Sequence, residues 1–600
     1  MTQWIAAIAR GHNSGVCLLK DGELVFSIEE ERLSRAKYDG GPLASMVKIL
    51  EYTDKIDYLV IAHTQPLSDA GRIDFSGDDV YTGLARKLGL IDRNQDNRNH
   101  PQVIDLSRTH HKLHAACAFY RSGFDSAVSL VVDGAGTFIP MNIGRGTEMT
   151  WELESIFDCE YPAYFKTLYK HQAGRGPWAS ARIEKFPSEQ EGEEGYHELI
   201  VDDSAGITKA YEAVTQYCGW PPIEAGKTMG LFPYGKPNDN IPAIYTDGNG
   251  GSWKTSDRNV IIPTYPNGAL VNEGRYEFLE TPEEFDDLTL LENRRDMAYA
   301  IQTQSQQMVL DLIRKAVVMS GKNNVVLSGG YGLNCVANYW YLDALREEGI
   351  NLYVEPVSND AGTAIGAALF IHHSINDDST VKEQIQNLYT GPSYMYSDQD
   401  INSISEKYNA TEVTSASYED VIELIMDKNI VAVFQGRSEA GPRALGNRSI
   451  LYDPRDPDGK DHVNRIKRRE YFRPFAGSIL QEHVHDWFDL RGMEDSPFMM
   501  YAVNCREGVE EKIPAIIHVD GTCRIQTVTQ DQNLHYYNLI NTFYEKTGCP
   551  IIFNTSFNLG GEPLVETLDD AIRTLANSLI EYLYLPEYNT LIYVKNQEEA

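Results

Sequence analysis

Cysteine is scarce in this chain: eight in 600 residues, with no CxxC pair and no tight spacing. That pattern excludes a zinc finger and a disulfide framework and points to a reduced, cytoplasmic protein. Long apolar runs are missing too, since no segment reaches the roughly 18 uninterrupted apolar residues of a membrane span. The opening residues, MTQWIAAIARGHNSG, have no basic n-region and too short an apolar run for export. Positive charge is in short supply, with 53 Lys and Arg against 87 Asp and Glu, a net charge of −34 and a pI near 4.8. Broad nucleic-acid binding needs surface that neutralises phosphates, and this balance argues against it. It suits a cationic small molecule instead.

What is present describes a globular protein, 42% hydrophobic and 23% charged. Six hundred residues exceed one ordinary core, so two or more domains are expected. The N-terminus alternates strand and turn: WIAAIA, a turn over residues 11–15, VCLLK, the Asp21-Gly22 hairpin signal and ELVFSIEEE. HHKLHAACAFYRSG, from His110, reads as a helix, and AVSLVVDG, from Ala127, as an apolar strand. Residues 145–290 are rich in Gly, Tyr and acids, with a polar loop, SEQEGEEG, at 188–195. A helical pattern over 297–319 leads into the strand VVLSGG and then NLYVEPVSNDAGTAIGAAL, whose end is helical. Residues 389–400 have the look of a boundary, and a second alternating unit starts near Ile401. No internal repeat stands out.

His110 and His114 are spaced i, i+4, which places both imidazoles on one helical face. Alone, such a pair is more often packing than a metal site. Asp133 strengthens the metal reading, because a carboxylate closing an apolar strand is costly without a partner. Asp360, in SNDAGTAIG, is a second such acid, with an ordinary helix N-cap as the plain alternative. Two imidazoles with two carboxylates suit Fe(II), Mn(II) or Zn(II). Gly-rich turns accompany the acids: DGAG with Gly134, LSGGYGLN with Gly329, Gly330 and Asn334, and NDAGTAIG. Glycine lets backbone amides approach a phosphate, so three such turns after apolar strands suggest a nucleotide cleft. His12, in GHNSG, is either a general base near neutral pH or a turn histidine bonded to backbone. Lys37, after EEERLSRA, has a solvated charged face as its plain alternative.

One segment departs from the acidic whole. Between Arg443 and Arg473 fall nine Lys and Arg, interleaved with Gly and Pro, in GPRALGNRSILYDPRDPDGKDHVNRIKRREYFRPFAGS. Arg524 follows in HVDGTCRIQT, and Asn554, Ser556 and Asn558 follow in NTSFNLGGEP. Arginine offers a planar fork for phosphate or carboxylate oxygens, and Phe472, Phe475 and Ile479 suggest a walled pocket for a small anion.

These segments together resemble the O-carbamoyltransferases of natural-product biosynthesis, the NodU/CmcH type. The resemblance rests on ten motifs in order: GHNSG…EEERLSRAK, HHKLHAA, VVDGAG, EAGKTMGLFPYG, LSGGYGLNCVAN, NDAGTAIGAAL, GPRALGNRSIL, NRIKRREYFRPF, HVDGTCRIQT and NTSFNLGGEP. It implies an N-terminal Kae1-like domain of the actin/hexokinase-type ATPase (ASKHA) fold over residues 1–395. A C-terminal YrdC-like domain over 396–600 is implied with it. The likeness gives His110, His114, Asp133 and Asp360 to the metal and makes His12 the catalytic histidine beside the acceptor hydroxyl. Lys37 becomes a nucleotide contact, Arg448 a further nucleotide or phosphate contact, and Glu224 an acceptor-side acid. Arg443, Lys467, Arg473, Arg524, Asn554 and Ser556 become the carbamoyl-phosphate site. ATP and carbamoyl phosphate are the implied substrates, combined as a carbamoyl-adenylate that carbamoylates a small hydroxylated acceptor. No nucleic acid or membrane partner is implied, and a monomer or homodimer is expected. A threonylcarbamoyl-adenosine-type tRNA enzyme would join related domains, but the charge speaks against tRNA. A sugar kinase would leave the C-terminal arginine motifs unexplained, and a non-enzymatic nucleotide-binding protein would have no need of the ionisable positions.

Overall fold

The computed structural model describes residues 2–65, 80–93, 100–142, 147–174, 182–187, 196–202, 205–241, 243–247, 253–255, 261–262, 269–270, 288–408 and 412–595. The polar loop at 188–195 lies outside them. Two compact units emerge, one of Met1–Val25 and Gly40–Ile385, the other of Phe26–Asp39 and Gln386–Ala600.

The first unit contains two mixed sheets. The N-terminal one runs β3 (Glu23–Glu29), β2 (Gly15–Lys20), β1 (Trp4–Ala9), β4 (Tyr58–Ala62), β5 (Val103–Asp105). β1 pairs antiparallel with β2 and parallel with β4, and β4 pairs parallel with β5. A second sheet repeats this order with β8 (Tyr164–Ala173), β7 (Thr147–Glu160), β6 (Ser126–Val132), β9 (Asn324–Ser328) and β10 (Asn351–Val354). Here again the first strand, β6, is antiparallel to the second and parallel to the fourth. The parallel strands β6 and β9 are almost wholly apolar and buried, as expected of strands covered on both faces. This pair of mixed α/β sheets fits the actin/hexokinase-type ATPase arrangement expected of residues 1–395.

Each half ends in a helix, α1 (His110–Arg121) after β5 and α4 (Ala361–Asn376) after β10. The helices between them used below are α2 (Gly206–Tyr217) and α3 (Cys335–Glu347). The glycines of NDAGTAIG belong to helix packing and not to a phosphate turn. A β-carbon at Gly366 would stand 2.0 Å from the Leu113 carbonyl oxygen, and one at Gly362 would stand 2.1 Å from that of Val357. Glycine therefore lets α4 lie against α1, the helix that carries both histidines.

The second unit is built on a ten-stranded sheet. Its centre runs β11 (Arg448–Tyr452), β14 (Ile551–Ser556), β12 (Ala476–Leu480), β13 (Thr522–Val528). Register puts Ile479, Ile525, Ile551 and Phe553 on one face, and Ala476, Ser478, Arg524, Gln526 and Asn554 on the other. The stretch Phe26–Asp39 belongs here, whereas the sequence reading assigns it to the first domain. Its hydrogen bonds explain the difference: Arg32 Nη2 donates to the Gly441 carbonyl at 2.7 Å, and the Gly441 amide donates to Glu29 Oε1 at 3.2 Å. Arg35 donates to the carbonyls of Leu564 and Pro563 at 2.6 and 3.0 Å. All eight cysteines are free thiols, and among the described residues no helix is long and apolar enough to cross a membrane.

Candidate functional site

In the first unit the i, i+4 spacing brings the imidazoles of His110 and His114 together, with their Nε2 atoms 3.2 Å apart. Tertiary folding adds two carboxylates from remote segments, Asp133 just after β6 and Asp360 at the start of α4. His110 Nε2 lies 3.6 Å from Asp133 Oδ2 and 3.5 Å from Asp360 Oδ1, and His114 Nε2 lies 3.6 Å from the same Asp360 oxygen. One ligand atom from each residue falls within 4.8 Å of all the others. Ligands bonded at about 2.1 Å to a tetrahedral ion lie about 3.4 Å apart, so these four residues fit a divalent metal.

Asp360 stands at the N-cap of α4 but makes no side-chain capping bond; its carboxylate is turned to the histidines. Asp133 is held by the Gly330 amide, which donates to Oδ1 at 3.0 Å. Burial opposes ionisation of Asp360, but the charge of His12 and the bonds to His110 and His114 outweigh it and hold the carboxyl well below its usual range. Asp133 is held below its range in the same way, chiefly through His110. Burial disfavours a charged His110, yet its two carboxylate partners raise it to about 10. An arriving metal ion therefore takes the place of a proton. His12, with half its side chain exposed, points Nδ1 at Asp360 Oδ2 from 3.7 Å. This carboxylate–imidazole pair leaves the other ring nitrogen to meet a hydroxyl.

The residues assigned to a nucleotide are treated less kindly by the structure. Asn334 caps α3, accepting from the Ala337 amide at 3.1 Å, and exchanges hydrogen bonds with the buried Gln302. Its amide thus takes part in holding the fold. The Gly330 amide is given to Asp133, and Gly329, at φ 87°, leaves no room for a β-carbon, which would stand 2.4 Å from the Val132 carbonyl oxygen. Arg448 requires a correction. Its guanidinium is fully buried over Phe434 and donates to the carbonyls of Gln435, Gly436, Asn447 and Glu566 at 2.5 to 3.3 Å. It ties loops together and has nothing left for a phosphate. A β-carbon at Gly134 would stand 2.9 Å from Glu212 Oε1 and 3.4 Å from Lys209 Nζ on α2. Lys209 also pairs with Glu212 at 2.6 Å, an i, i+3 pattern indistinguishable in sequence from a solvated helix face. Glu224 pairs with Lys227 at 2.7 Å.

The second unit gathers the cations. Lys467, 1% exposed, donates to the Ser556 carbonyl and, at 3.2 Å, to Asn558 Oδ1, which fixes the loop after β14. Burial, then the charges of Arg469, Arg473 and Lys37, pull its ammonium far below the usual lysine range. Lys37 therefore lies close enough to Lys467 to act on its charge. Arg469, which the sequence reading omits, is depressed likewise by burial and by Arg473 and Arg524. It stacks on Phe475 at 4.9 Å, and its Nε is buried with no hydrogen-bond partner among the described residues. The signal was visible in NRIKRREYFRPF, where three basic residues in a row conceal which one turns inward. Arg473 is in contact with Glu470 at 3.4 Å, and Arg524 also buries an unpartnered Nε. Arg443 follows Gly441, the residue held by Glu29 and Arg32. Glu439, also absent from the sequence reading, orders that loop by accepting from the amides of Leu445, Asn447 and Arg448 at 2.7, 2.8 and 3.2 Å. An anion bound beside Lys467 and Arg469 would relieve the repulsion that lowers them.

Residues 90–369 match the family model for the carbamoyltransferase N-terminus, and 422–591 match that for the carbamoyltransferase C-terminus. The nodulation protein NolNO of Sinorhizobium fredii is 31% identical over 96% of this chain and 78% of its own length. An uncharacterised protein of Synechocystis is 30% identical over 98% of this chain and 96% of its own length. Among solved structures, full-length HypF in its phosphate- and nucleotide-bound form aligns with a TM-score of 0.34 at 12% identity, over 62% of this chain and 46% of that one.

Proposed function

This chain belongs to the carbamoyltransferase family, and on that premise we propose that it carries a carbamoyl group from carbamoyl phosphate, with consumption of ATP, to a hydroxyl of a small natural product. The observation that carries this reading is the grouping of half-buried Arg469, Arg473 and Arg524 around the buried Lys467 in a chain of net charge −34. An acidic protein holds a small, multiply charged anion only against such a concentration of opposite charge.

At the C-terminal cations, water cleaves the bond between the carbamoyl and phosphoryl groups, giving carbamate and inorganic phosphate, and the cations offset the charge of the phosphate. A carbamate oxygen then attacks the α-phosphorus of ATP, pyrophosphate leaves, and a carbamoyl-adenylate forms. In the N-terminal unit the acceptor hydroxyl attacks the carbamoyl carbon, AMP leaves, and His12 takes the hydroxyl proton while Asp360 steadies the imidazolium. Carbamate and its adenylate hydrolyse in water, which favours keeping both steps within one chain. The expected acceptor is a hydroxylated amine, whose positive charge the acidic surface would concentrate. AMP should appear from ATP only when carbamoyl phosphate is present. AMP release that ignores carbamoyl phosphate would sink the reading.

His110, His114, Asp133 and Asp360 would hold a divalent metal, with Fe(II) the expected ion, supplying a positive charge that polarises an oxygen of the bound adenylate. Protein purified without chelator should carry about one such ion per chain, and its removal should lower Tm, because a ligand of the folded state alone stabilises it. His114→Ala should abolish both effects. Metal-free protein with an unchanged Tm on metal addition would refute the four-ligand assignment.

A further inference from the structure

The two acids of the His110 cluster reach it on loops that leave the ends of parallel strands, Asp133 after β6 and Asp360 after β10. Both loops are tied to α1, the helix that carries the two histidines, through buried carboxylates. Glu355, 0% exposed, opens the Asp360 loop. Its Oε1 accepts from Arg121 Nη1 at 2.8 Å and from the Val357 amide at 2.9 Å, and its carbonyl oxygen accepts from the Ser358 hydroxyl. Arg121 is the last residue of α1, so the Asp360 loop is fastened to the C-terminal end of the histidine helix. Thr137 closes the Asp133 loop. Its hydroxyl accepts from the His110 amide, the first of α1, at 3.0 Å, and its own amide donates to Glu152 Oε2 at 2.9 Å. The other oxygen of Glu152, on β7, pairs with Lys170 Nζ, on β8, at 3.0 Å, and both residues are buried. The Asp133 loop is thereby fastened to the N-terminal end of the same helix.

Stability alone does not explain two buried ion pairs here. Taking two charges out of water costs about as much as their attraction returns, so apolar side chains of similar volume often serve a fold equally well. What an ion pair adds is orientation, because a charge-assisted bond fixes both direction and distance. A metal ion demands both, since its ligands are held to within about 0.2 Å of their ideal distances. Asp360 makes no capping bond of its own, so its aim at His110 and His114 is inherited from the loop that Glu355 anchors. From His110 to Arg121 the helix spans about 16 Å, and the two pairs grip it at opposite ends. Resting on the reading of His110, His114, Asp133 and Asp360 as a metal site, we propose that the pairs Arg121–Glu355 and Lys170–Glu152 are positioning residues for it. They lock the two acid-bearing loops to the histidine helix and set the geometry in which a divalent ion is held.

Co(II) is the probe, since a site of nitrogen and oxygen ligands binds it at least as tightly as Fe(II) and its visible absorption follows ligand geometry. Its affinity is measured by competition with a chelator on the full chain, for wild type and two double variants, with the Tm of metal-free protein as the measure of folding. Arg121→Met with Glu355→Gln removes both charges and leaves the glutamine oxygen to accept from the Val357 amide. Lys170→Met with Glu152→Gln does the same at the other end for the Thr137 amide. Each double variant should keep a metal-free Tm close to that of wild type, because no buried charge is left unpaired. Each should hold Co(II) about 10- to 100-fold more weakly, with a changed visible spectrum. Wild-type affinity and spectrum in a folded double variant overturn the positioning role of that pair, whatever its Tm, and leave the four ligands standing. Wild type that takes up no Co(II) sinks the metal reading itself, and the positioning role with it. If one double variant does not fold, the other decides.

Discussion

Arg524→Ala is expected to stop carbamoyl-phosphate consumption and everything after it, while Asp133→Ala should keep consuming carbamoyl phosphate and fail at transfer. The two residues belong to separate compact units, one among the cations near Lys467 and one among the histidines. Loss of one charge-assisted bond to a phosphate costs about 2–3 kcal/mol, or roughly 30- to 150-fold in rate. Arg473→Ala should follow Arg524→Ala. Asp133→Ala leaves every cation of the second unit in place and removes a carboxylate from the His110 cluster. His12→Asn should resemble it, because the acceptor hydroxyl would have no base beside it. Phosphate, AMP and carbamoylated product have to be measured in the same reactions. Loss of both signals by a folded Asp133→Ala, or of transfer alone by Arg524→Ala, would show that the two steps are not divided between the units.

The largest stability effect is expected at His171, which no functional reading uses. This ring, 1% exposed on β8, is clamped between Glu154 Oε2 at 2.5 Å and Asp202 Oδ1 at 3.0 Å. Burial alone would keep it neutral, but Asp202 and Glu154 overcome that and raise it to about 10. Glu154 Oε1 also accepts from the Ile207 amide at 2.8 Å, so the clamp anchors the start of α2. His171→Leu would leave two carboxylates buried without their cation, a defect that costs about 3–5 kcal/mol. The pH dependence has a definite sign. A histidine whose folded pKa is raised adds stability that is fully present below its unfolded value, near 6.5, and that fades as pH climbs through about 10. The gap between wild type and His171→Leu in urea unfolding should therefore narrow from pH 6.5 to pH 10. A gap independent of pH would mean that the ring is neutral in the fold.

The sequence left open which of two possible uses a polar side chain would have. Asn334 and Arg448 lie in motifs whose Gly-rich or basic character suits a phosphate, yet Arg448 is consumed by backbone carbonyls that burial leaves in need of partners, and Asn334 caps α3 and pairs with Gln302. Nothing in the flanking residues reveals that demand, because the carbonyls that occupy Arg448 come from as far away as Glu566. Arg469 and Glu439 were missed for the converse reason. Each resembles an ordinary surface charge until the fold encloses it. The repeated sheet order was invisible as well, since β1 to β5 and the matching strands from β6 to β10 share topology without an evident sequence repeat.

The sequence by itself determined whatever depends on neighbours a few positions away. His110 and His114 share a face because a helix turns every 3.6 residues, and the acidic balance and the basic island are sums over residues. Apolar strands ending in Asp133 or leading toward Asp360 were legible for the same reason. Only the tertiary structure decided that these two carboxylates, 227 positions apart in the numbering, meet at one pair of histidines, and that Phe26–Asp39 belongs with the C-terminal unit. It also decided which way the Asn554 amide faces, through carbonyls supplied by a loop 110 residues away. Local periodicity follows from backbone geometry along the chain, whereas the partner of a buried polar atom is settled by whichever remote segment packing brings within hydrogen-bond reach.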